Sequence, residues 1–276
     1  MSKDLIRRKQ LKKNMMKNVI FRIDYQGIIN SEDIIKSFKD NFKDKFKIFQ
    51  TTFHSKIDFD INNIEDISDT LSIPIKEIQK QEIYRFTDNT FGNDELTLDI
   101  SKYFTVLTVN CQEYEGIDEY LDFFSSFIDF LFENSEYLQI KRIGLRKIGG
   151  EIYFDEKEIY RDFEQKYFNF NFIDTPYNSF RSRHIDVLKL DDKSPIINYV
   201  RSFEAGNYHD NETNIYKSAF QVLLDIDAYY SDFILEKIKF KKGMAKQVLT
   251  STNNEHLFKI FKMSVTEAFL KANSNE

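Results

Sequence analysis

The sequence predicts an α+β fold in which curved antiparallel sheets carry helices on one face. Segments with strand-like alternation cluster between two helical segments in each half of the chain. The helical segments are apolar along one stripe, as expected where a helix packs on a sheet. Only 8 Gly and 3 Pro occur among 276 residues, fewer than a large all-β protein needs for its turns.

The first half, residues 19–136, reads strand, helix, four strands, helix. Ser31 is a natural N-cap, and the acidic residues after it suit the N-terminal end of a helix dipole. The predicted strands span residues 19–25, 46–61, 82–87, 95–100 and 103–110. The predicted helices span residues 31–42 and 116–132, and the polar stretch 62–80 with its single proline is predicted as a loop.

The second half, residues 137–276, repeats this rhythm with one strand fewer. We predict strands over residues 139–148, 180–190, 196–204 and 219–230, and a helix over 155–168. Residues 243–271 are predicted as one long helix or two. Two β-α-β(3-4)-α halves could join edge to edge into a long sheet, as in TATA-binding-protein-like folds, with a helix-grip fold as the alternative.

Composition restricts the class of protein. Hydrophobic residues make up 41% and charged residues 30%, which is typical of a soluble globular chain. No apolar run reaches the roughly 18 residues that cross a bilayer, and no signal peptide is evident. A single cysteine, Cys111, excludes an internal disulfide. We therefore expect a cytoplasmic protein without membrane contact.

The centre of the chain, residues 137–150 (YLQIKRIGLRKIGG), predicts a strand with two arginines on one face. Arg142 and Arg146 are four residues apart, so both point the same way, with Gly144 between them. Two guanidiniums beside a glycine could bind a phosphate or a carboxylate. The alternative is that they pair with acidic groups on neighbouring strands.

Asp225 and Asp227 are the acidic counterparts, on one face of a later strand. An Asp-x-Asp pair can hold a divalent cation, although a third ligand and a phosphate-binding loop are not evident. The alternative is a ladder of ion pairs with Arg142 and Arg146. We expect no cofactor, and no bound metal beyond this weak candidate pair.

Two basic segments are candidates for binding a polyanion or an acidic partner. Residues 1–18 form a basic N-terminal arm that includes Arg7 and Arg8. Residues 237–246 (KIKFKKGMAK) place Lys241 and Lys242 beside an aromatic residue. Both segments could instead be solvated surface, and the net charge of -6 argues against a broad nucleic-acid footprint.

The central strand motif resembles one from a sporadically distributed bacterial family of uncharacterised proteins of similar length. The matching segments are the RIGLR-type strand in Lys141–Ile148, the LLDID strand of Leu223–Asp227, and Asn254–Phe269. Together they cover the second half of the chain. The family carries no established activity, and its patchy distribution resembles that of mobile or defence-associated genes.

Three functions remain open from the sequence. We expect a non-enzymatic protein that binds another protein in a bacterial antiviral-defence or toxin-control system, because no catalytic signature is evident. One alternative is a nucleic-acid-binding module that uses the basic arm and the Arg142/Arg146 face. The other is a metal-dependent phosphoryl-transfer or nuclease-like enzyme that uses Asp225 and Asp227. The oligomeric state stays open.

Overall fold

The computed structural model describes residues 15–28, 30–42, 44–59, 75–91, 94–112, 116–168, 181–210 and 214–273. Its strands are β1 (Met16–Gln26), β2 (Ile48–Phe59), β3 (Ile75–Phe91), β4 (Asp94–Ser101), β5 (Phe104–Asn110), β6 (Gln139–Tyr153), β7 (Arg181–Leu188), β8 (Ile196–Asp210) and β9 (Ile215–Ser231). Its helices are α1 (Ser31–Phe42), α2 (Asp118–Asn134), α3 (Glu156–Asp162), α4 (Asp232–Lys237), α5 (Ala245–Ser251), α6 (Phe258–Ser264) and α7 (Glu267–Asn273), and a π-helical turn (Thr252–Leu257) joins α5 to α6.

All nine strands form one antiparallel sheet in the order β2-β3-β4-β5-β1-β6-β9-β8-β7. In each half the first strand pairs with the last, β1 with β5 and β6 with β9. The two halves join where β1 pairs with β6, over the register from Met16↔Gly149 to Gln26↔Gln139. The sheet is open, with β2 and β7 at its edges.

One face of the sheet carries the core. Val19, Phe21 and Ile23 of β1 and Ile143 and Leu145 of β6 are fully buried on this face, because strand side chains alternate between the two sides. We call this the helix face. The alternate residues, such as Arg22 of β1 and Arg142 of β6, lie on the opposite side, which we call the open face.

Helices from both halves pack on the helix face. The ring of Phe21 lies 5.3 Å from that of Phe124 on α2. Further along, the Tyr199 hydroxyl of β8 hydrogen-bonds the hydroxyl of Ser264 on α6 at 2.7 Å. The α+β class, the antiparallel sheet and the helical cover on one face are therefore confirmed. Among the described helices, none has the length and apolar character needed to span a membrane.

One predicted helix is wrong in extent, and the long-range contact that ends it also divides the C-terminal helical segment into the two runs that the sequence allowed. The helix predicted over 155–168 ends at Asp162, because Phe163 is extended and forms a β-bridge with Val265. The same bridge ends α6 at Ser264, so that the segment 243–271 is divided into two helical runs. The first of these runs contains the π-helical turn, which a regular 3.6-residue period does not predict.

Other element boundaries also differ from the sequence-based expectation. β3 begins at Ile75, so the end of the predicted loop 62–80 belongs to a strand, while residues 60–74 lie outside the described residues. Helix α4 follows β9 directly and was not predicted. The β8/β9 hairpin is longer than expected, because its strands pair out to Asp210↔Ile215.

Candidate functional site on the open face

The candidate residues of the central strand meet those of β9 on the open face. Nη2 of Arg142 donates to Oδ2 of Asp227 at 2.8 Å. The guanidinium of Arg146 grips Asp225 through two bonds, Nε to Oδ1 at 2.8 Å and Nη2 to Oδ2 at 2.6 Å. The four side chains that the sequence predicts on one face thus form two ion pairs.

The pairing is oblique rather than directly across the strands. The backbone of Arg146 lies opposite Asp227, yet its side chain binds Asp225, which lies opposite Ile148. Long arginine side chains reach diagonal neighbours on a sheet face. The two pairs therefore lie at a slant across the joint of β6 and β9.

The gap above Gly144 is filled by a side chain of the protein itself. Gly144 lies opposite Tyr229, and a Cβ built on it would come within 2.8 Å of the Cβ of Tyr229. The guanidinium of Arg142 stacks on the Tyr229 ring, 4.1 Å from its centroid. The close approach predicted at this glycine is therefore made by β9 and leaves no space there for a ligand.

The two members of the Arg146–Asp225 pair differ in their exposure. The side chain of Asp225 is 8% exposed, whereas that of Arg146 is 42% exposed. The hydrogen bonds to Asp225 raise the pKa of the Arg146 guanidinium, against the opposing effect of its partial burial. Asp227 also accepts a long bond of 3.4 Å from the amide of Asn198. Both carboxylates are thus engaged by neighbouring donors.

Further ion pairs lie on the open face beyond the central cluster. Arg22 donates to Asp24 at 2.7 Å beside the central pairs. Three strands from β1, the guanidinium of Arg85 on β3 forms a two-bond contact with Asp99 on β4. Cations and carboxylates alternate across this face, so it presents a mixed surface and not a basic stripe.

The second basic segment is tied to the acidic side of α2. Lys242 pairs with Glu133 at 2.7 Å, and Lys246 pairs with Asp122 at the same distance. The backbone N–H of Gly243 donates to Asp129. Residues 237–246 therefore hold the C-terminal helices against α2.

Three candidate residues of the basic segments remain. Lys241 is exposed and makes no ion pair with the described residues. Arg7 and Arg8 lie outside the described residues, so the basic N-terminal arm remains a sequence prediction. The first strand begins at Met16, three residues before its predicted start at residue 19.

Two buried polar contacts of the helix face were missed by the sequence analysis. Arg201 of β8 binds the carboxylate of Asp186 on β7, with its guanidinium 4.5 Å from the Tyr199 ring centroid. Lys147 of β6 donates to the amide oxygen of Asn253 in the π-helical turn. The available signal was the alternation of β6 and β8, which places Lys147 and Arg201 in line with buried apolar residues.

Within the described ranges, no group of three or more His, Cys, Asp or Glu side chains has the arrangement of a metal site. Asp225 and Asp227 would have to release their arginines to take up a cation.

No protein-family model matches the chain. A search of curated proteins likewise found no match.

Proposed function

We propose that this chain is a non-enzymatic protein that binds another protein through the open face of its sheet. The observation that carries the proposal is the state of the Arg142, Arg146, Asp225 and Asp227 cluster, whose charges are paired with each other. Paired charges leave this face without a strong charge of one sign, and it carries arginine and aromatic side chains such as Arg142 and Tyr229, residue types that are enriched at protein interfaces. We further propose that this binding belongs to an antiviral-defence or toxin-control system, a setting that the resemblance of the central strand to the bacterial family supports.

Two features make the alternatives less favourable. A nucleic-acid interface needs unpaired cations that neutralise phosphates, whereas Lys242 and Lys246 are engaged by acidic residues of α2. A metal-dependent reaction needs carboxylate oxygens free to coordinate, whereas both oxygens of Asp225 accept bonds from Arg146.

The test is capture of the tagged full chain from its native host, with and without nuclease, followed by mass spectrometry. We expect one stoichiometric protein partner that survives nuclease treatment. Thr108 lies on the open face between Ile20 and Thr97, so Thr108→Arg should remove the partner by introducing a bulky charge. Lys259→Glu, an exposed charge change on α6, is the matched control and should leave capture unchanged.

Other results would contradict the proposal. Loss of all bound material after nuclease treatment would favour a nucleic-acid-binding module. Loss of the biological activity in the Asp225→Ala, Asp227→Ala double variant, with capture of the partner intact, would favour the enzyme.

A further inference from the structure

The edge strand β7 presents a backbone ready for pairing. β8 pairs with one side of β7, and no other strand among the described residues pairs with its outer side. An edge strand exposes a row of backbone N–H and C=O groups that can template a further strand. β7 is the point at which the open face could be extended by a partner.

Two of the usual protections of an edge strand, a β-bulge and a proline, are missing from β7. The register with β8 runs without a bulge from Arg181↔Glu204 to Leu188↔Ile197, and the strand contains no proline or lysine. Its open-face side chains Ile185 and Val187 are 58% and 68% exposed. Apolar side chains this exposed at a sheet edge favour contact with another chain.

The unpaired charge at this edge is positive. Arg183 is exposed on the open face and forms no ion pair with any described residue. Arg181 pairs with Glu204 at 2.6 Å, but both side chains are at least half exposed. On the opposite face, Asp186 is already bound to Arg201. A partner strand would therefore meet two arginines followed by two apolar residues.

A second copy of the chain does not supply the complementary charge. If two copies of β7 paired antiparallel within one continuous sheet, open-face residues would face open-face residues. Those positions hold Arg181, Arg183, Ile185 and Val187, so no carboxylate of a second copy could face Arg183. Pairing of β7 with the β7 of a second copy would therefore leave Arg183 without a carboxylate.

We propose that β7 accepts an extended, antiparallel strand of a partner protein that places carboxylates opposite Arg181 and Arg183 and apolar side chains opposite Ile185 and Val187. Main-chain hydrogen bonds supply affinity in this mode of recognition, and the alternate side chains supply specificity. The inference rests on the proposed function and names the chemistry of the partner segment.

The test uses the full chain and labelled synthetic peptides. In the acidic probe every second residue is threonine, and the residues between them are Val, Val, Glu and Glu in that order. In an antiparallel pairing these four residues face Val187, Ile185, Arg183 and Arg181 in turn. The matched control peptide has Lys in place of Glu. In fluorescence anisotropy titrations we expect saturable binding of the acidic probe and at least tenfold weaker binding of the lysine peptide.

Two variants and one modified probe separate strand pairing from general attraction of charge. Arg183→Glu should reverse the preference of the protein between the two peptides. Val187→Lys should weaken binding of the acidic probe at least tenfold. An acidic probe that is N-methylated at alternate residues keeps its side chains but loses the backbone N–H donors of those residues, so it should not bind. Lys259→Glu should change nothing.

Equal binding of both peptides, or undiminished binding of the methylated probe, would overturn the assignment. A concentration-dependent dimer in sedimentation that Val187→Lys dissociates would also overturn it, in favour of a second copy. If neither peptide binds while Thr108→Arg still abolishes capture of the native partner, the proposed function stands and only the assignment of the binding site to β7 is wrong. If no native partner is found, the proposed function itself fails.

Discussion

At the scale of single residues, Gly144 lacks the space for a side chain on the open face. An added Cβ would approach the Cβ of Tyr229 to 2.8 Å and the carbonyl oxygen of Ala228 to 3.1 Å. We expect Gly144→Ala to lower the free energy of unfolding by roughly 1–3 kcal/mol through overpacking. Gly206→Ala in β8 is the control, since nothing lies within 4 Å of its added Cβ. Equal effects of both substitutions on urea denaturation would contradict this view.

Asp225 gives a second prediction at this scale. Asp225→Asn removes the charge that Arg146 binds through two hydrogen bonds, and it should destabilise the fold by roughly 1–3 kcal/mol. The loss is smaller than for a fully buried pair, because the half-exposed Arg146 can turn to water. Glu204→Gln at the exposed pair with Arg181 should leave the urea midpoint unchanged. A larger effect at Glu204 than at Asp225 would refute the ranking.

At the scale of secondary-structure elements, the π-helical turn is fixed to β6 by a buried polar contact. Lys147 is 8% exposed and Asn253 is 3% exposed, and they share a hydrogen bond. Asn253→Ala should cost roughly 1–3 kcal/mol, because the buried ammonium loses an acceptor. In a double-mutant cycle with Lys147→Met, we expect coupling of about 0.5–3 kcal/mol. Strict additivity of the two substitutions in denaturation experiments would show that the turn is held by other contacts.

The same turn carries His256, which makes stability depend on pH. Burial lowers the pKa of His256 below its ordinary value, with Lys259 acting in the same direction and Glu255 and Asp191 opposing it. A base with a lowered pKa binds fewer protons when folded, so its contribution to stability is complete above about pH 6.5 and is lost as pH falls toward the folded pKa. Unfolding measured between pH 7.5 and 5 should show this loss, and His256→Gln should reduce the slope. An unchanged slope in that variant would assign the effect to other groups.

Local pattern predicts an element better than it predicts where the element stops. The stripe of Ile159 and Phe163 is helical in spacing, and α3 does begin as predicted, with Asp155 as its N-cap. The helix ends where Phe163 bridges to Val265, a residue 102 positions away in the sequence. No window of local sequence contains that information, which is why the predicted end of α3 was wrong.

At the scale of the whole molecule, the β1/β6 joint makes the two halves one folding unit. Phe21 is fully buried at this joint and contacts Phe124 of α2. Phe21→Ala should cost roughly 3–5 kcal/mol and lower amide protection in both β5 and β9. Hydrogen exchange read by mass spectrometry tests this expectation. Intact protection in β9 with loss in β5 would mean that the halves unfold separately.

The sequence predicted which side of the sheet the residues of β6 face, but not which residues of the neighbouring strands they contact. Alternation in β6 places Ile143 and Leu145 inside and Arg142 and Arg146 outside, and the structure agrees. The partners of the two arginines depend on the register of β6 with β9, which is fixed by packing of distant segments. The order of strands in the sheet is likewise a tertiary property. For this reason the sequence left ligand binding and ion pairing open as alternatives at Arg142.

The pairing of β1 with β6 also has an evolutionary consequence. In each half the first strand lies at the joint, and the last strand pairs with the other edge of that first strand. The two halves are therefore topologically equivalent. A single-half ancestor would have left that first strand with an unsatisfied edge, and self-association in the same antiparallel manner would have covered it. Duplication and fusion of such a gene would make the association permanent and release each copy from symmetry. The extra strand of the first half and the additional C-terminal helices of the second are the divergence that such a fusion permits.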